Sequence, residues 1–478
     1  MKQPDSVSSV SRRDILKVAV GGALAARPTV SGAQSQAKTV KKIVVAGAGI
    51  SGLCCAYELM KRGHEVVLLE AAGRSGGHIL TIRDRLADGL YADGGAEHFY
   101  RSAYAELYRY LEEFELSIIP YHRRDSMIRF IGESPYSEEM LADRKTLKKL
   151  GLNQREVEFV ARHSWPELGM LYLGPYLDSF PDETRPFDAG LNDLDRITVA
   201  DLLRKDGASP AAIEFRGGTS SALHTLWSAA IKKMRGIPQY EKVVYRIRGG
   251  NQRITDAFSA RLGPRLRLGS PLTAIEYGDS GVRAQYEEFG ESKEIEADHL
   301  VLCMSFRELR RIPVTPQWPE SKHYVIQNMS YELKTRVIFQ SRTPFWESDS
   351  ISPNISFSQR ELTSVWRMAE EVSSSRGLLI GQGRTSEAGH ALAKFRQLYP
   401  GKSENIEQAS LVNWALDPWS GSCLPVRRPP GELARFWPEV SRPRGPIHFA
   451  SVCVDCFPNG LEGGIRAGQQ AAKAIDGA

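Results

Sequence analysis

A chain of 478 residues is too long for one simple core and suits two or more interleaved domains. Its 42% hydrophobic and 25% charged residues are the make-up of an ordinary soluble globular protein. The formal charge is only +5, no basic run is interleaved with aromatics, and no Cys/His spacing resembles a zinc site, which argues against nucleic acid and metal.

The chain opens on a targeting segment. Ser11-Arg12-Arg13-Asp14-Ile15-Leu16-Lys17 resembles the twin-arginine export motif. An apolar stretch over 18–26, too short to span a bilayer stably, leads to a small-x-small site at Ser31-Gly32-Ala33. Residues 1–33 then form a signal peptide and 34–39 a linker, and the mature protein is periplasmic or secreted. Cleavage removes Lys2, Arg12, Arg13, Lys17 and Arg27 against Asp5 and Asp14, so the mature charge is about +2. Export of this kind carries folded proteins, which suits a cofactor inserted in the cytoplasm.

Lys42 to Ala46 reads as a buried parallel strand, and it enters Gly47-Ala48-Gly49-Ile50-Ser51-Gly52. A helical pattern follows, then a second strand, 65–69, with Glu70 at its end. Gly47 permits the tight turn, Gly49 lets the backbone approach a pyrophosphate, and Gly52 lets the helix pack on the sheet. Ile50 and Ser51 open a helix whose N-terminus offers free N–H groups to phosphates. Glu70, 18 residues beyond Gly52, is spaced to hold a ribose hydroxyl pair.

Ala71-Ala72-Gly73-Arg74-Ser75-Gly76-Gly77-His78 adds a second glycine pair directly after the acid. NAD does not need it. It resembles the extension typical of the FAD-dependent amine oxidase superfamily (monoamine, polyamine and L-amino-acid oxidases). Ala72 and His78 stand where that family often has Arg, which implies fewer cationic cofactor contacts. Ala92 to Phe99, with Gly94, Gly95, Ala96, Glu97 and His98, looks like the family's turn beside the flavin ring. Arg248 to Gln252 and Ser270 to Ile275 look like its central cofactor block, with Leu272 against adenine. Near the C-terminus, 448–451 and 459–468 look like its closing strand and helix, with Leu461 and Glu462 at the helix start aimed at the flavin. The family usually has an acid directly after Phe-Ala-Gly. This chain has Phe449-Ala450-Ser451-Val452, and Asp455 is the candidate to take over.

The resemblance implies an α/β fold: a discontinuous Rossmann-like FAD-binding domain over 40–125, 240–305 and 410–478, with a mixed helix/sheet substrate domain inserted over 126–239 and 306–409. Periodic apolar residues in "MLADRKTLKKL", "TVADLLRKDG" and "ALHTLWSAAIKKM" predict helices, and "RVIFQ" predicts a strand.

Arg336 falls where the oxidases usually carry a Lys that assists reoxidation by oxygen. It keeps the charge but exchanges no proton at neutral pH; an interdomain ion pair is its other reading. The positions of the family's aromatic pair fall at Leu424 and Gly460. Glu97 and His98 either bind substrate or act as a base, His98 near neutral pH, or else hydrogen-bond to cofactor and backbone. Cys453 and Cys456 read as a redox pair, a disulfide or two buried thiols. In "NWALDPWSGSC", Trp414 leads into a turn beneath the flavin, and Cys423 lies nine residues on, where covalent monoamine oxidases attach FAD. A covalent tether, a noncovalent flavin neighbour and a disulfide all stand open for it.

The reading is therefore a flavin-dependent oxidoreductase that oxidises a C–N bond of an amine or amino acid and passes electrons to O2, a redox protein or a quinone. The alternatives are a dehydrogenase or desaturase of a non-amine substrate and a non-catalytic FAD-binding protein. No metal, nucleic acid or stable membrane span is expected; oligomerisation is left open.

Overall fold

The computed structural model describes residues 39–347, 352–357, 361–399, 401–422 and 424–477. The expected signal peptide, residues 1–33, and Cys423 lie outside them.

Strand Lys42–Ala46 is the middle of a five-stranded sheet whose order is Ile447–Phe449, His299–Leu302, Lys42–Ala46, Glu65–Leu69 and Leu266–Arg267. Every pairing in it is parallel. Its strands are near-continuous apolar runs because both faces are covered. Ile43 and Val45 point into a core made with helices Ile50–Lys61, Gln252–Leu262 and Gly460–Asp476. Val44 and Ala46, one residue out of phase, point into a second core under the four-stranded sheet that contains Leu272–Gly278 and Gly281–Glu288.

Helices Ile50–Lys61 and Gly460–Asp476 pack closely because glycine lines the seam. A Cβ on Gly468 would stand 2.4 Å from the Ser51 carbonyl oxygen. Cys54 and Cys55 are fully buried free thiols on the same helix.

A seven-stranded sheet is ordered Ile406–Asn413, Thr335–Ser341, Gly377–Gly383, Leu362–Met368, Ile355–Ser356, Ile128–Ile131 and Ser134–Tyr136. The predicted "RVIFQ" strand lies inside it. The expected division at 409/410 falls within its strand Ile406–Asn413.

"ALHTLWSAAIKKM" forms helix Ala222–Met234, and "TVADLLRKDG" forms Val199–Lys205 behind a Thr198/Asp201 capping box. "MLADRKTLKKL" divides into a 3₁₀ turn, Met140–Ala142, and helix Arg144–Lys149. The break is chemical: the Asp143 side chain accepts from the Thr146 N–H at 2.8 Å and starts a new helix. Among the described residues, no helix is long and apolar enough to cross a membrane and no cluster of His, Cys, Asp and Glu could hold a metal.

Candidate active site

Gly47 adopts φ +102°, a backbone open to glycine, and its N–H donates to the Leu69 carbonyl at 2.8 Å, closing the turn. A Cβ on Gly52 would stand 1.8 Å from the Gly47 carbonyl oxygen, so helix and turn touch only through glycine. A Cβ on Gly49 would meet nothing within 4 Å. Gly49 faces a cavity of about 710 Å³, within the roughly 300–1,000 Å³ of small-molecule sites. The helix starting at Ile50 has no side-chain cap, which leaves its first N–H groups available at the cavity wall.

Glu70 shapes the floor. Its carboxylate accepts from Ala48 N–H at 2.6 Å and Ala72 N–H at 2.8 Å, and burial raises its pKa. Ala71, Gly76, Gly77 and Leu272 line the same cavity. The Gly76 N–H donates to the Ala48 carbonyl at 2.8 Å, locking the second glycine pair under the first. His78 stacks on Trp414 with ring centroids 4.0 Å apart. Burial, helped by the charge of Arg336, lowers its pKa to about 3, so it is a neutral ring whose buried Nε2 has no protein partner and belongs to the cavity wall.

Together these features fit FAD. They supply an uncapped helix terminus for the diphosphate, a carboxylate for ribose hydroxyls, and a polar ring nitrogen awaiting a partner.

Gly94, Gly95 and Ala96 run beside His78; a Cβ on Gly95 would stand 1.8 Å from the His78 carbonyl oxygen. Trp414 Nε1 donates to the Gly94 carbonyl at 2.8 Å. Asn251 braces the turn, donating its N–H to Asp93 at 2.9 Å and its amide to the Ala96 carbonyl at 3.0 Å. Gly52 and Gly94 stand behind the wall. Gly95, Ala96 and Leu461 are on it.

Two expected cofactor residues turn elsewhere. Asp455 does not reach the cavity: its carboxylate accepts from Phe457 N–H at 2.8 Å and Arg466 Nε at 3.2 Å. A cation on the closing helix has captured it, and Ser451, Val452 and Cys453 form that stretch of wall instead. Glu462 caps helix Ala105–Glu113, accepting from Glu106 N–H at 3.1 Å and Leu107 N–H at 2.9 Å. Four bare N–H groups at a helix start attract a carboxylate more strongly than the distant wall does.

Cys453 and Cys456 are free thiols in different cores. Cys453 contacts Ser451 Oγ at 2.7 Å, and burial pushes the Cys456 thiol up to about 12.

The cavity continues into a chamber walled by Glu97, His98, Tyr100, Tyr104 and Arg336. Glu97 is buried. It accepts from His98 Nδ1 at 2.5 Å, from Trp366 Nε1 at 3.0 Å and from Arg123 Nη1. Burial alone would raise its pKa; Arg123, then His98, outweigh that and hold it far below the usual carboxylate range. His98 does not titrate near neutrality as its type suggests. Burial and Arg123 together override Glu97 and lower it to about 4. The Nδ1 of the neutral ring stands against both Glu97 and Arg123 Nη1, the latter at 2.8 Å, and its Nε2 lies 3.3 Å from the Tyr100 hydroxyl. Arg336 donates to Gln382 Oε1 and to the Gly95 carbonyl at 3.3 Å, which ties the seven-stranded sheet to the flavin turn. Lys334 shares the wall and pairs with Glu332.

Arg123, Trp366 and Gln382 carry no motif; only their convergence on Glu97 and Arg336 reveals them. Arg123 stands over Trp366, its Cζ 3.9 Å from the ring centre. Gly460 leaves room that Tyr104 fills: a Cβ there would be 3.1 Å from the Tyr104 hydroxyl. The aromatic wall absent at Gly460 and Leu424 thus comes from "FYRSAY", next to the flavin turn. Trp414 and Trp419 line the cavity, whereas Phe457 packs into the core.

A family model for flavin-containing amine oxidoreductases matches residues 50–476. The chain is 24% identical over 466 residues to an L-amino-acid oxidase of Demansia vestigiata, covering 92% of this chain and 88% of the relative. It is 22% identical over 462 residues to the L-amino-acid oxidase BmooLAAO-I of Bothrops moojeni, covering 92% and 90%. Putrescine oxidase bound to putrescine superposes with a TM-score of 0.76 at 19% identity, over 92% of this chain and 100% of that one. Cyclohexylamine oxidase from Brevibacterium oxydans superposes with a TM-score of 0.72 at 20% identity, over 92% and 99%.

Proposed function

The chain belongs to the flavin-containing amine oxidoreductase family, and from that premise we propose that it oxidises the C–N bond of an amino acid or related amine after twin-arginine export to the periplasm. One observation carries the reading: a single cavity joins the FAD-binding glycine turn to the chamber of Glu97, His98 and Arg336. The relatives named L-amino-acid oxidase support an amino acid.

FAD, when bound, supplies the two-electron acceptor. The chain's own residues position the substrate and exclude water. Arg123 and Arg336 both lower the pKa of groups around them. The same field disfavours an ammonium and favours the neutral amine, the form that can lose electrons. Neutral His98 offers Nε2 as acceptor for the substrate N–H, and Glu97 holds the ring by its other nitrogen. Tyr100 and Tyr104 wall the substrate's apolar part.

Arg336 favours a second reading of the acceptor. A guanidinium keeps positive charge but relays no proton at neutral pH, which suits electron transfer to a quinone or redox protein better than rapid use of O2. Cys423, nine residues beyond Trp414, is the proposed tether; its neighbours Ser422 and Leu424 both line the cavity.

Anaerobic mixing with candidate amino acids should bleach the flavin. Admitting O2 then separates the acceptors: fast recovery means an oxidase, and slow recovery with fast dye reduction a dehydrogenase. Failure of every amine to bleach a flavin that dithionite still reduces would sink the function. A Cys423→Ala protein whose flavin survives acid precipitation would end the tether.

A further inference from the structure

Arg336 and Gln382 face each other across the paired strands Thr335–Ser341 and Gly377–Gly383, and both line the cavity that holds the chamber. Arg336 donates Nη1 to Gln382 Oε1 and Nη2 to the Gly95 carbonyl at 3.3 Å. The second bond sets the guanidinium against the flavin turn, and its charge reaches both His78 and Glu97. A guanidinium only donates, so the Gln382 amide turns its oxygen to Arg336 and its NH2 away. Among the described residues that NH2 has no partner.

The other charges on this wall are matched. Lys334, two residues before Arg336, pairs with Glu332. The Glu97 carboxylate takes its bonds from Arg123, His98 and Trp366. The wall thus sets a planar guanidinium, with five N–H donors in a fixed fork, beside an amide NH2 that the guanidinium itself aims. The two oxygens of a carboxylate can take one donor from each. Lysine at position 336 would offer a point charge without the fork.

We propose that Arg336 and Gln382 together bind the α-carboxylate of the substrate, which makes the enzyme selective for amino acids over amines that lack the carboxylate. The proposal deepens the amino-acid reading; it rests on that reading for the reaction but not for the anion. The test is calorimetric titration of the flavin-loaded enzyme with 3-phenylpropanoate, which has no amine to oxidise, and with its neutral amide. The acid should bind at least about tenfold tighter, as expected for hydrogen bonds to a charged group. Gln382→Glu keeps an oxygen facing Arg336 and turns the donor into a carboxylate oxygen. Arg336→Lys keeps the charge and removes the fork. Each, with flavin absorbance retained, should cut the acid-to-amide affinity ratio about tenfold or more, whereas a purely structural role would weaken both ligands alike. Should Arg336→Lys lose its flavin, Gln382→Glu alone decides. An acid that binds no tighter than its amide, absence of binding by both included, or a ratio unchanged in a flavin-retaining variant overturns the anchor. Bleaching of the flavin by L-phenylalanine and phenethylamine alike in that case keeps the amine-oxidising reading alone. Variant-sensitive binding of the acid without bleaching by any amine keeps the anion site alone.

Discussion

At its cofactor end the cavity wall is backbone: Gly47, Gly49, Gly76 and Gly95 bring main chain where a Cβ would collide or intrude. At its chamber end the wall is side chain: Glu97 and Arg336 face the cavity, and Arg123 and Trp366 hold Glu97 from behind, the four coming from separate segments. A backbone wall fails when atoms are added. A charged side-chain wall fails when one member is removed, because its partner is left buried and uncompensated.

Gly52→Ala should show the largest effect, since its methyl would stand 1.8 Å from a carbonyl oxygen with no flexible side chain to yield. We expect a loss above about 4 kcal/mol and a colourless, unstable protein. Gly49→Ala sharpens the contrast: its methyl points into open cavity, so thermal stability should hold while flavin content falls. A stable, yellow Gly52→Ala protein would break the account of the backbone wall.

Glu97→Gln comes next. It leaves Arg123 without its carboxylate, and unfolding assays should show a loss of about 3–5 kcal/mol with severely reduced turnover. Unchanged stability would mean that Arg123 finds another counter-charge.

His98 sets an acid limb on stability. The unfolded chain takes up a proton near an ordinary histidine pKa of about 6.5, whereas folded His98 resists until about 4. The His98 share of stability is therefore full above about pH 6.5 and is lost as pH drops toward 4, about 3 kcal/mol. His78, His224 and His448 are lowered in the same way, so His98→Asn should make the limb shallower in denaturant melts without removing it; an identical pH profile would refute the His98 share. The smallest effect is expected from Trp414→Phe. It strands the buried Gly94 carbonyl and should cost about 1–2 kcal/mol with flavin retained.

The glycine turn and Glu70 are legible because they depend on local backbone geometry, which leaves glycines at fixed intervals, and the second glycine pair and the Gly94–His98 turn are legible through the family resemblance they carry. Helix Ala222–Met234 was legible from its apolar period. Asp455 and Glu462 turn to other partners because a carboxylate goes to its strongest one: Arg466, 11 residues on, is brought back to Asp455 by the turn into the closing helix, and the start of helix Ala105–Glu113 meets Glu462 only after folding. Tyr104, behind Gly460, went unnoticed for the same reason: the two are 356 positions apart by number and adjacent only after folding.

The order of residues by itself determined the buried parallel strands and the dinucleotide turn, which are written in short-range periodicity and glycine spacing, and the flavin class through the family resemblance that its motifs carry. Only the tertiary structure decided that His98 is neutral, that Arg123 holds Glu97 ionised, and that Trp366 donates to the same carboxylate. Protonation and pairing depend on burial and on which charges meet across the fold, and neither is a property of sequence neighbours.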